Sequence, residues 1–178
     1  KKPNEIAILL DSNMAFGTGE HETTSMCIEF LQKYVEKNTS VIDVGCGSGI
    51  LGITASKLGA KKVLLTDIDE IAVKSSIHNL KLNGVNNGEV LLKNLLDDET
   101  TKGDIILANI MAETLIYFAD YIGGNLYENG VIISCSELVK IGETRQGVRD
   151  AIRHGVETLH SLEKSLGFCA KSERIATL

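Results

Sequence analysis

The chain is 178 residues long, 43% hydrophobic and 24% charged, with a formal net charge of −6 and a pI near 5.2. Such a length buries roughly 70% of the unfolded surface in one core, and the acidity excludes a general nucleic-acid or membrane-surface binder, which needs a basic footprint. Four cysteines (Cys27, Cys46, Cys135, Cys169) form no CxxC pair, and the histidines offer no ligand spacing with them. Reduced thiols, a cytoplasmic location and no metal are therefore expected.

In chain order, residues 5–10 alternate weakly and predict a strand that leads into a loop over 11–22. From 22 to 37, Met26, Cys27, Phe30, Leu31, Tyr34 and Val35 recur at helical spacing. A short buried strand is predicted at 41–44, a helix at 50–58 stopped by Gly59, and a second strand at 62–67. Asp69 is suited to cap a helix in which Val73, Ile77 and Leu80 share a face, ending near Asn83-Gly84. A third strand follows at 89–92, then a polar loop through Gly103 and a fourth strand at 104–109. A helix at 112–126, a fifth strand at 130–135 and a last helix marked by Val148, Ile152, Leu159, Leu162 and Leu166 complete the pattern.

Strands that are continuously apolar and alternate with helices imply an α/β fold, a mainly parallel sheet covered by helices on both faces. No linker, repeat or low-complexity tract divides the chain. One domain is expected over 1–178, with 1–40 supplying a loop and helix ahead of the core and no room for a separate recognition domain.

The chemistry concentrates in Val41-Ile42-Asp43-Val44-Gly45-Cys46-Gly47-Ser48-Gly49-Ile50-Leu51. Glycines lack the Cβ atoms that would hold backbone away from a ligand, and the start of a helix supplies free N–H groups. Downstream, Val63-Leu64-Leu65-Thr66-Asp67 ends a second apolar run in an acid, where a ribose diol needs an acceptor. A nucleotide-type cofactor site follows. The spacing of Gly45, Gly47 and Gly49 is GxGxG, not the GxGxxG of dinucleotide sites. Asp43, two residues ahead, would repel phosphate but suits a ligand with a cationic amino-acid end. S-adenosylmethionine has that character, with an ammonium, a sulfonium and no phosphate.

VIDVGCGSG resembles motif I of class I S-adenosylmethionine-dependent methyltransferases. Three more blocks sharpen the likeness: Met14-Ala15-Phe16-Gly17-Thr18-Gly19-Glu20-His21-Glu22-Thr23-Thr24, Leu65-Thr66-Asp67-Ile68-Asp69 and Asn109-Ile110-Met111-Ala112. Together, over about residues 11–134, they resemble the PrmA family, methyltransferases of ribosomal large-subunit protein eleven. The resemblance implies a Rossmann-like six- or seven-stranded sheet, S-adenosylmethionine as cofactor, and N-methylation of a ribosomal protein. Alternatives are methylation of another protein or small-molecule amine, or a non-catalytic cofactor-binding module. It also places Thr24, Gly45, Asp67 and Asn109 on cofactor-contacting positions. Here Glu20 and Glu22 flank His21, where the family has a proline after the histidine.

Asn109, leaving a buried strand, is the candidate for aligning an acceptor amine; its bland alternative is to cap the next helix. Thr24 is either a cofactor contact or an N-cap. Phe16 either closes over the cofactor or anchors the core.

Overall fold

The computed structural model describes residues 5–11, 22–94, 101–110, 114–115, 124–134, 138–140 and 154. Among them, six strands form one sheet: β1 (Ser40–Val44), β2 (Lys62–Asp67), β3 (Gly88–Leu92), β4 (Gly103–Ala108), β5 (Leu126–Ser134) and β6 (Leu138–Lys140). Their spatial order is β3-β2-β1-β4-β5-β6. The first five run parallel, and β6 returns antiparallel to β5. Helix α1 (Glu22–Tyr34) precedes β1, while α2 (Ile50–Leu58) and α3 (Glu70–Leu82) connect β1 to β2 and β2 to β3.

β1 lies between β2 and β4, and its apolar residues are buried on both sides, as a central parallel strand requires. Val41, Val63, Leu65, Ile105, Leu107 and Ile133 form one core with Cys27 and Leu31 of α1, Leu51, Ile53 and Ala55 of α2, and Leu80 of α3. The alternate residues Ile42, Ile106 and Ile132, aligned across β1, β4 and β5, are buried on the opposite side. Helix α2 sits close to the sheet because Gly52 has no side chain. A Cβ there would lie 2.6 Å from Leu65 Cδ2. The close packing offsets the roughly 0.5–1 kcal/mol that glycine costs in a helix.

At the amino edge of the sheet, Ser40 and Asp104 clamp β1 to β4. Asp104 Oδ2 accepts from the Ser40 N–H and from its hydroxyl, both at 2.7 Å, and the Asp104 N–H donates to Ser40 Oγ at 3.1 Å.

Several expectations need correction. Residues 5–10 form no strand; the Leu9 N–H and C=O are taken by the side chain of Asn83, at 2.9 and 2.7 Å. These bonds satisfy the backbone without a sheet partner. Helix α1 ends at Tyr34, short of 37, where the Thr39 hydroxyl accepts from the Glu36 N–H and turns the chain. On α3 the buried residues are Ala72, Ser75, Ser76, Asn79 and Leu80, whereas Ile77 is exposed and Val73 only partly covered. β5 begins at Leu126, the last residue of the helix expected over 112–126. Its pairing with β4 steps from Gly103–Leu126 to Ile105–Val131, so residues around left-handed Asn129 (φ 67°) bulge out. Most of the helices expected over 112–126 and 148–166 lies outside the described residues.

Candidate functional site

Parallel strands bring the ends of β1, β2 and β4 to one edge of the sheet, so the segments after Val44, Asp67 and Ala108 converge. The turn from β1 to α2 passes through Gly45, Gly47 and Gly49, all at positive φ (67°, 54° and 81°). Gly45 is exposed and Gly47 partly so, while Cys46 and Ser48 between them point inward and are buried. The turn is fixed to β2 because the N–H groups of Gly45 and Cys46 both donate to the Thr66 carbonyl, at 2.9 and 3.1 Å. A Cβ at Gly45 would stand 2.6 Å from Ile110 Cγ2. The glycine therefore makes room for the residue after Asn109 as well as exposing its own backbone.

Asp67 ends β2 with a partly exposed carboxylate whose two oxygens organise the edge. Oδ2 accepts from the Gly47 N–H and Oδ1 from the Asp69 N–H, each at 3.0 Å. Asp69 in turn caps α3, accepting from the Ile71 N–H at 2.9 Å. Ile68, between the two acids, is 78% exposed, with Ile71 nearby in sequence also exposed.

Asp43 lies beneath the turn, 2% exposed, with Oδ2 accepting from the Gly52 N–H at 2.9 Å. Gly49, at the N-cap of α2, has no side chain to cap with, so Asp43 supplies the missing acceptor from the preceding strand. Burial raises its pKa to about 7; the Gly52 bond works against that rise and the charge of Asp67 adds to it. Among the described residues neither Asp43 nor Asp67 has a cationic partner. Burial also pushes the Cys46 thiol up, which keeps it protonated beside Ser76 Oγ at 3.3 Å.

Asn109 and Thr24, 85 residues apart, meet at this edge, with Asn109 Nδ2 donating to Thr24 Oγ1 at 3.4 Å. Thr24 is buried and is the third residue of α1, inside the first turn rather than at its N-cap. Thus Thr24, Gly45, Gly47, Gly49, Asp67 and Asn109 converge, with Asp43 underneath. Phe16 and His21 lie outside the described residues. A cavity of about 340 Å³, lined by Tyr34, Glu36, Asp104 and Asn129 among others, opens at the opposite end and involves none of these groups.

The polar face of α3 also serves this edge, although apolar periodicity does not disclose it. Ser76 Oγ donates to the Gly47 carbonyl at 2.9 Å, and Asn79 Nδ2 to the Ser48 carbonyl at 2.9 Å. Both side chains are fully buried. The signal for it in the sequence is Ser76, Asn79 and Asn83 at helical spacing, a polar stripe beside the Val73–Ile77 face.

The family model described as ribosomal protein L11 methyltransferase (PrmA) matches residues 1–172. A ribosomal protein L11 methyltransferase of Clostridium perfringens is 47% identical over 156 residues, 87% of this chain and 49% of that protein. One from Clostridium botulinum is 50% identical over 133 residues, 75% of this chain and 42% of that protein. The chain thus spans about half the length of the curated relatives it matches. A crystal structure of ribosomal protein L11 methylase from Lactobacillus delbrueckii subsp. bulgaricus superposes with a TM-score of 0.66 at 40% identity, covering 70% of this chain and 64% of that one. The fold is the Rossmann-like α/β fold of class I methyltransferases. On the family match and these relatives, the chain belongs to the ribosomal protein L11 methyltransferase (PrmA) family.

Proposed function

We propose that this chain is a single S-adenosylmethionine-binding domain that transfers a methyl group to amino groups of ribosomal protein L11. The observation that carries the reading is the convergence of the glycine turn, the Asp67 carboxylate and the Thr24–Asn109 pair on one sheet edge, over buried Asp43, which has no cationic partner among the described residues. An acidic edge with no basic side chain among the described residues suits a cationic, phosphate-free cofactor better than a pyrophosphate. The relatives' names supply the acceptor.

When bound, S-adenosylmethionine supplies a methyl group on a sulfonium, already activated for in-line displacement. The chain's residues bind, orient and desolvate. Asp67 retains lone pairs for ribose hydroxyls beyond the two N–H groups it holds. Asp43 braces the turn from beneath through its bond to the Gly52 N–H, Gly45 and Gly47 present backbone, and exposed Ile68 offers apolar surface to the base. The family resemblance adds Phe16, which lies outside the described residues, to the proposed cofactor contacts. Thr24 engages the Asn109 Nδ2 and so turns the Asn109 carbonyl toward an acceptor N–H. Holding a neutral amine in line with the methyl carbon is an orientation effect. Asp67, Gly45 and Gly47 would hold the cofactor, which would supply the methyl group, and Asn109 would orient the acceptor amine, whose proton would pass to water.

The test is single-turnover methylation of purified L11 alongside calorimetric cofactor affinity. Asp67→Ala is expected to weaken cofactor binding by about 1–3 kcal/mol. Asn109→Ala is expected to cost about tenfold or more in rate with little change in affinity, since alignment matters in the transition state. Equal losses of rate and affinity would reassign Asn109 to cofactor binding. Cofactor binding with no transfer to L11 or any amine would make the domain a non-catalytic module.

A further inference from the structure

Asn79 is fully buried, and its carboxamide works in two directions at once. Its Nδ2 donates to the Ser48 carbonyl inside the glycine turn, and its Oδ1 accepts from the Asp11 N–H, both at 2.9 Å. One turn further along α3, Asn83 grips the same amino-terminal segment, with Oδ1 taking the Leu9 N–H and Nδ2 reaching the Leu9 carbonyl. Asn83 Nδ2 also donates to the Asn79 carbonyl at 2.8 Å, so the two residues form one network. The segment from Leu9 to Asp11 therefore lies on α3 as a strap, tied to the turn through the side-chain amide of Asn79. The chain leaves this strap at Asp11 and is next described at Glu22, two residues before Thr24 of the site.

We propose that Asn79 is a positioning residue for the cofactor site, joining the Ser48 carbonyl of the glycine turn and the Asp11 amide of the strap so that cofactor binding and strap docking stabilise each other. The inference rests on the reading that the glycine turn binds S-adenosylmethionine. A buried carboxamide with a donor committed on one side and an acceptor on the other has one satisfied orientation. Rotating it, or moving either partner, strands a polar group away from water. A ligand that holds the turn in its present shape thus favours the docked strap, and by linkage the docked strap favours the ligand to the same degree.

The experiment uses the full chain and S-adenosylhomocysteine, the demethylated product form of the cofactor. Amide hydrogen exchange at Leu9 and Asp11, followed by NMR with and without saturating ligand, is expected to slow about fivefold or more on binding. A purely structural bond would leave those rates unchanged. Asn83→Ala frees Leu9 while sparing the Ser48 bond, and affinity is expected to fall about fivefold although Asn83 does not touch the turn. Asn79→Asp keeps an acceptor for Asp11 but sets a carboxylate oxygen against the Ser48 carbonyl, and affinity is expected to fall tenfold or more. Binding with unaltered exchange, or an Asn83→Ala variant that binds as tightly as the parent, overturns this inference alone. Absence of any binding heat overturns the cofactor reading and this inference with it. Should a variant fail to fold, the exchange measurement on the unaltered chain still decides.

Discussion

A carboxyl group shut beneath a turn holds its proton more tightly in the folded chain than in the unfolded one, and Asp43 is such a group. Its folded pKa of about 7 stands above the ordinary 3.8 because burial disfavours the anion. Between those values the folded state binds the extra proton, so the contribution of Asp43 to stability is greatest at low pH and is lost as pH rises from about 4 to about 7. Each pH unit in that window removes about 1.4 kcal/mol at most. Asn at this position keeps an oxygen for the Gly52 N–H but does not titrate. Denaturant unfolding from pH 4 to 8 is therefore expected to show Asp43→Asn gaining on the parent as pH rises. A constant difference between the two would mean that Asp43 stays ionised throughout.

Among the elements, the β1–α2 turn shows how a glycine serves two neighbours. Gly45→Ala puts a Cβ on a left-handed residue, at about 1–2 kcal/mol, and drives it into Ile110 Cγ2. Leucine at 110 lacks that branch methyl. Adding Ile110→Leu is expected to restore part of the lost thermal stability of Gly45→Ala, with the backbone penalty remaining; no recovery would show that Ile110 already moves aside freely. Such contacts mark the limit of what the chain discloses before folding. Strands at 41–44 and 62–67, the helix stop at Gly59, the cap at Asp69 and the acid at Asp67 are local signals, set by patterns within a few residues, and the structure places them as read. The polar face of α3 and the early start of β5 are not local. Ser76 and Asn79 are buried because the glycine turn, far away in sequence, leaves carbonyls that need donors. Leu126 extends because Gly103 is there to pair with it. Periodicity assigns burial to the most apolar face of a helix, and α3 breaks that rule where it supports the site.

For the molecule as a whole, the order β3-β2-β1-β4-β5-β6 divides the sheet's assembly unequally. β1, α2, β2, α3 and β3 are consecutive in the chain, and each pairs with or packs on a near neighbour. The β1–β4 seam instead joins residues such as Ser40 and Asp104, 64 positions apart, and has to close a long loop first. Refolding is thus expected to begin in the half from Ser40 to Leu92, with β4 docking after the barrier has been crossed. The Ser40–Asp104 clamp turns this order into a kinetic measurement. Ser40→Ala removes both the bond the hydroxyl donates to the Asp104 carboxylate and the one it accepts from the Asp104 N–H, leaving the Ser40 N–H bond, for about 1–2 kcal/mol, which is roughly five- to thirtyfold in equilibrium. If the seam zips up late, nearly all of that factor appears as faster unfolding in stopped-flow chevrons, with the refolding arm unmoved. The clamp would then act as the latch that sets how long the folded domain lasts before it opens, and a slowed refolding arm would place the seam in the nucleus instead.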